Sequence, residues 1–181
     1  MGLQWSEAVI PGVHVGRAFA STDERGRFVK PWTDELGPPG LRPDEVFFSI
    51  SREESLRGMH VQMGRAAGRR LIFATRGMAR DFVIDLRVGS PTFGSVVETL
   101  LKPGELGVLV PPGCAHGFES LEDETTMVYV QEGRHEADLD IGVHWTSCGF
   151  TPHSSSPTVS QRDDALPHIS EFDSPFTWGE E

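Results

Sequence analysis

An all-β fold, an antiparallel sandwich or barrel, is predicted by three features of this sequence. Short runs of β-branched and aromatic residues recur at nearly even spacing, Gly- and Pro-rich turns punctuate them, and apolar side chains show almost no helical period. No repeat of fixed length accompanies the pattern. At 181 residues and 38% hydrophobic, the chain supports one cored domain over 1–181 with polar ends.

The elements follow in order. After the Pro11-Gly12 turn, Val13, Val15 and Phe19 fall on odd positions, so residues 8–20 read as a strand. Asp23-Glu24-Arg25-Gly26 turns the chain, and Arg27-Phe28 opens a second short strand. Residues 31–43 carry four prolines and two glycines and read as a loop, with one helical turn at Thr33-Asp34-Glu35-Leu36. Strand pattern resumes over 46–51, 56–62, 70–76 and 80–87, and Gly89-Ser90-Pro91-Thr92-Phe93-Gly94 closes the last of these. Further strands are read over 95–101, 106–110 and 126–131, separated by Pro103-Gly104, Pro111-Pro112-Gly113 and Glu122-Asp123-Glu124. From Thr151 onward small and polar residues predict an irregular tail.

Charge and cysteine usage exclude several classes of function. Lys and Arg total 16 against 27 Asp and Glu, a formal charge of −11 that repels the phosphates of nucleic acid and anionic membrane surfaces. Neither is an expected partner, and an anionic ligand requires a local arginine cluster. Cys114 and Cys148 show neither CxxC spacing nor the density of a disulfide scaffold, so reduced thiols in a cytoplasmic protein are expected. The first residues lack a basic-then-apolar leader, and no stretch of about 18 apolar residues occurs, so secretion and membrane spanning are not expected. Of the seven histidines none forms an HxH pair followed by glutamate, and His60 is followed by Val61 and Gln62, so no metal site is expected.

The chemistry concentrates in Leu56-Arg57-Gly58-Met59-His60-Val61-Gln62. On a regular strand Arg57 and His60 point to opposite faces, whereas a bulge at Gly58 realigns them. A base beside a cation suits an anionic substrate that must lose a proton. Read alone, the stretch is a half-buried strand with a satisfied histidine. Likewise His116 alone is a loop histidine after Pro-Pro-Gly, Asp163 with Asp164 a solvated acidic pair, and Arg69-Arg70 surface charge. Phe47, Phe48 and Trp145 read as core or dimer contacts.

Taken in chain order, five motifs change that reading: Asp23-Glu24-Arg25-Gly26, the stretch just described, Gly89 to Gly94, Pro111-Pro112-Gly113-Cys114-Ala115-His116-Gly117-Phe118, and Ser160-Gln161-Arg162-Asp163. Together they resemble the dTDP-4-dehydrorhamnose 3,5-epimerase family over roughly residues 10–166. The resemblance implies a cupin-type jelly roll, a homodimer, no metal or other cofactor, and a nucleotide-diphosphate-linked 4-keto-6-deoxyhexose as substrate. It sets His60 on the family's catalytic base, Asp163 on its carboxylate partner, and Tyr129, the single tyrosine, on the general acid. Substrate contacts are implied for Arg25, Phe28, Arg57, His116 and Arg162, for Arg70 where the family has a lysine, and for Asp140, which approximates a family glutamate.

Such residues suit the chemistry. A hydrogen next to a ketone is removable when the enolate is stabilised, which needs a base at the carbon and a donor or cation at the oxygen. Several positions depart from the family: Glu45 and Phe47 replace a glutamine and an asparagine, Lys30 a glutamate, and Arg134-His135 an aromatic region. The catalytic trio is kept better than the rim, which predicts retained proton chemistry with a changed sugar or a changed site of inversion. Inversion of one carbon only, and a catalytically silent sugar-nucleotide binder, are the alternative readings.

Overall fold

The computed structural model describes residues 5–33 and 40–179. Its strands are β1 (Trp5–Glu7), β2 (His14–Arg17), β3 (Phe19–Asp23), β4 (Gly26–Lys30), β5 (Glu45–Ser51), β6 (Leu56–Gln62) and β7 (Arg70–Arg76). They continue as β8 (Ala79–Asp85), β9 (Val96–Leu101), β10 (Leu106–Val110), β11 (Cys114–Ser120), β12 (Thr125–Gln131) and β13 (Asp140–Gly142). One helical turn, α1 (Gln161–Asp164), follows. Beyond Thr33, the helical turn expected at 33–36 lies outside the described residues.

Two antiparallel sheets make the cupin-type jelly roll. One runs β1-β2-β10-β7-β12-β5, the other β13-β6-β11-β8-β9, and β3-β4 forms a separate hairpin. Ile72, Val83, Val108, Phe118 and Met127 fill the space between the sheets and are at most 1% exposed. Each such side chain contributes roughly 1.5–3 kcal/mol relative to solvent exposure. A second cluster, with Met59, Phe82, Ile84 and Ala115, packs beneath the C-terminal segment. There Phe150 stacks on Phe82, with ring centroids 3.9 Å apart.

This cover explains where the strand reading fell short. Along β5, residues 47, 49 and 51 turn inward while Val46, Phe48 and Ile50 are 57–65% exposed, a period of two in which the outward face carries the apolar side chains. Strand β11 is buried at every position, because one face meets the core and the other meets the tail. Without alternation its sequence carries no strand signal, and His116, on sequence a loop histidine, stands at its centre. The short β1 and β13 were also missed, and residues 8–20 divide into β2 and β3.

The tail from Thr151 is irregular but pinned. Glu119, 1% exposed, accepts hydrogen bonds from the backbone N–H groups of His153 and Ser154, each at 2.7 Å. Ser55 forms a parallel bridge with Thr158, and α1 then packs on β6. Two chain segments a hundred residues apart are thereby brought to one place.

Candidate active site

Between the open ends of the two sheets lies a cavity of about 280 Å³, lined from the five-stranded side by Arg57, Gly58, His60 and His116 and from the other by Phe47, Ser49, Arg70 and Tyr129. Asp140, Arg162 and Asp163 close its edge. The bulge expected at Gly58 is present: His60 pairs with His116 and Arg57 with Phe118, so Gly58 and Met59 oppose Gly117 alone. Arg57 and His60 consequently face the same cavity. Gly58 has φ +112°, and a Cβ there would stand 2.6 Å from the Gly117 Cα, so no other residue fits without displacing β11.

His60 is held by Asp163. Its Nε2 is 3.0 Å from Asp163 Oδ1, while Oδ2 accepts the Gly58 N–H at 3.0 Å. Asp163 is 4% exposed, unlike its exposed neighbour Asp164, because the Ser160 hydroxyl caps α1 and turns Asp163 inward. Burial pushes its carboxyl up, but the bonds from His60, Gly58 and Ser160 outweigh it and hold the group below the usual range. The reading of this pair as a solvated acidic pair is therefore corrected for Asp163. With Nε2 donating to a carboxylate, the His60 lone pair lies on Nδ1.

Tyr129 faces this sheet from β12. It is 7% exposed, and burial pushes its phenol up to about 12, against smaller lowering by Ser49, Arg70 and Arg57. At neutral pH it is a proton donor. Phe47 stacks on its ring, with centroids 4.8 Å apart and planes at 13°, and His116 meets it edge-on at 6.0 Å. His116 is itself anchored, its Nε2 2.5 Å from Asp81 Oδ2.

The cations divide by depth. Arg70 is not surface charge: burial lowers its pKa, against raising by Tyr129 and Asp140, and its Nε donates to Gln131 Oε1 at 2.8 Å. Arg57 donates to Ser51 Oγ at 2.9 Å, and Arg162 lies 3.0 Å from Asp140 Oδ2. The Asp140 carboxylate also meets His135 Nε2 at 3.3 Å. Asp140 thus holds the basic edge together. Among the described residues no three His, Cys, Asp or Glu side chains converge in a way that could hold a metal ion.

A family model for dTDP-4-dehydrorhamnose 3,5-epimerase matches residues 7–171. The chain belongs to the dTDP-4-dehydrorhamnose 3,5-epimerase family. It is 33% identical over 156 residues to a dTDP-4-dehydrorhamnose 3-epimerase of Streptomyces niveus, covering 80% of this chain and 73% of the relative. It is 29% identical over 170 residues to a dTDP-4-dehydrorhamnose 3,5-epimerase of Streptomyces griseus, covering 87% and 81%. The crystal structure of NovW, a 4-keto-6-deoxy sugar epimerase from the novobiocin gene cluster of Streptomyces spheroides, superposes with a TM-score of 0.88 at 28% identity, over 94% of this chain and 89% of that one.

Of the residues that the epimerase family resemblance singles out, His60, Tyr129, Asp163, Arg57, Arg70, His116, Asp140 and Arg162 line one cavity. Arg25 and Phe28 do not. They sit on the β3–β4 hairpin, where Arg25 is 85% exposed and pairs with Asp23, and Phe28 is 59% exposed. Phe47, Ser49 and His135 also line the cavity and were not named as site residues. For Phe47 and His135 the departure from the family pattern was the available signal. Glu45, another departure, accepts the His135 N–H at 2.7 Å and so fixes that rim residue.

Proposed function

We propose that this protein is an epimerase of a nucleotide-diphosphate-linked 4-keto-6-deoxyhexose, inverting configuration beside the ketone by removal and return of a proton. The observation that carries this reading is a carboxylate-held imidazole and a neutral phenol, set on facing sheets of one cavity. The cavity takes a hexose ring, and the arginines at its edge suit the diphosphate.

His60 Nδ1 takes the C–H proton, and Asp163 stabilises the imidazolium that results. Arg70, with His116 nearby, stabilises negative charge on the ketone oxygen as the enolate forms. Tyr129 delivers its O–H proton to the opposite face of the planar carbon, which inverts it. The phenolate then regains a proton from solvent, and His60 releases the one it took. Arg57 and Arg162 present guanidinium forks to the diphosphate oxygens.

A homodimer is part of the proposal. Arg25 and Phe28 stand away from the cavity of their own chain, and edge strand β5 exposes Val46, Phe48 and Ile50 in a row. In the dimer we propose, a second copy covers that edge and the hairpin supplies Arg25 and Phe28 to its neighbour's cavity. Cys114 and Cys148, buried and unpaired, suit a reducing, cytoplasmic setting.

Incubation with a panel of nucleotide-linked 4-keto-6-deoxy sugars in deuterated water tests the function. Deuterium is expected beside the ketone, at C3, C5 or both. A panel returned without label would refute the reading.

A further inference from the structure

Strand β5 is an edge strand, yet two of its inward side chains hold the proton donor. Phe47 is the direct register partner of Tyr129 and covers one face of its ring with nearly parallel planes. Two residues on, Ser49 stands beside the phenol, close enough to ease its ionisation. Its Oγ is buried and forms no hydrogen bond of good geometry to any described residue. His116 closes a second side of the ring edge-on, and β7 pairs with β12 through Ile72 on the far flank.

A tyrosine ring has two side-chain torsions. With one face stacked, one edge blocked and the backbone paired on both flanks, neither torsion is free. The carbons that can lose a proton in such a sugar lie on opposite sides of the ketone carbon. A displacement of about 1 Å from a productive geometry can cost on the order of 10²-fold in rate. A donor that cannot swing serves one of these carbons and not the other. His60, which Asp163 holds at Nε2, lines the same cavity with its side chain 23% exposed, so exchange of label reports the base separately from the donor.

We propose that Phe47 is a positioning residue that confines inversion to a single carbon by fixing the Tyr129 phenol, an inference that rests on the epimerase reading and assigns its stereochemical outcome. Ser49 contributes by sitting at the hydroxyl end of the same ring. Removing the stack frees the phenol to reach the second carbon, at the expense of the first.

The test compares the unaltered protein with Phe47→Leu, which keeps apolar bulk without a ring, and Phe47→Tyr, which restores one. Each is incubated with keto sugar in deuterated water, and NMR reads exchange and inversion at each carbon. The unaltered protein is expected to invert one carbon. Phe47→Leu should lower the ratio of inversion to exchange at that carbon about tenfold and yield product inverted at the other, and Phe47→Tyr should return both readings to the original. Because exchange reports folded, competent His60, a merely structural role for Phe47 would move exchange and inversion together. Should Phe47→Leu fail to fold, Phe47→Met supplies the same contrast. Inversion of both carbons by the unaltered protein, or an unchanged ratio in the ringless variant, overturns the inference while leaving the epimerase reading intact. Absence of exchange in the unaltered protein overturns both.

Discussion

Two imidazole–carboxylate pairs stand side by side, both imidazoles lining one cavity, and they are built differently. His60 and His116 are register partners on β6 and β11. The carboxylate of His60 comes from 103 residues away, on a capped helical turn, and both its oxygens are engaged. The carboxylate of His116 comes from the adjacent β8, and its Oδ1 has no partner among the described residues. The His60 side chain is 23% exposed and that of His116 is 4%. Exposure, not the pairing, separates a base that meets substrate from an imidazole that forms a fixed wall.

The sharpest way to break this contrast is to remove each ring. His60→Ala is expected to lower deuterium exchange at every carbon by about 10³-fold, within the range general-base removal produces, with little change in stability. His116→Ala should reverse the balance. It strands Asp81 inside the sheet, so a urea midpoint corresponding to a loss of about 3–5 kcal/mol is expected, with a smaller fall in exchange per folded molecule. The opposite pattern would mean that the buried pair supplies the base.

Asp163→Asn should cost about 10²-fold in exchange, since an amide neither stabilises the imidazolium nor enforces the Nδ1 lone pair. Tyr129→Phe is expected to slow inversion by a similar factor while exchange persists, measured from label against stereochemistry in the same product.

Acid sharpens the role of Asp163. Its carboxyl is held below the ordinary value, so its contribution to stability is present above about pH 3.9 and lost as pH falls through the lower folded value. Urea midpoints for the unaltered protein and Asp163→Asn should therefore differ at pH 7 and converge as pH drops below 4. The smallest effect is expected for Arg70→Lys, a change of a few-fold in rate, because charge at the ketone oxygen is kept and only donor geometry is altered.

His60 and Asp163 were legible as candidates because each lies in a local motif, whereas Tyr129 lies in none of the five and is singled out only by the family resemblance. The realignment of Arg57 with His60 was legible as a possibility from Gly58 alone, but the bulge was settled by its opposition to Gly117. Asp163 beside Asp164 shows why composition misleads. Two identical neighbours differ in burial because one turn of helix sends them to opposite sides. Arg69, just before β7, and Arg70, its first residue, diverge likewise, Arg69 to Glu132 and Arg70 into the cavity.

By itself the sequence determined the antiparallel strand pattern wherever the two faces of a strand differ in burial, since a period of two records that asymmetry. It also determined the chemical kinds present at the site. Only the tertiary structure decided that Cys114–Ser120 is the central strand under the site, that Phe47 lies on the Tyr129 ring, and that Arg25 and Phe28 stand away from it. The reason is physical: burial on two faces erases the period of two, and contacts between strands distant in the chain leave no local pattern.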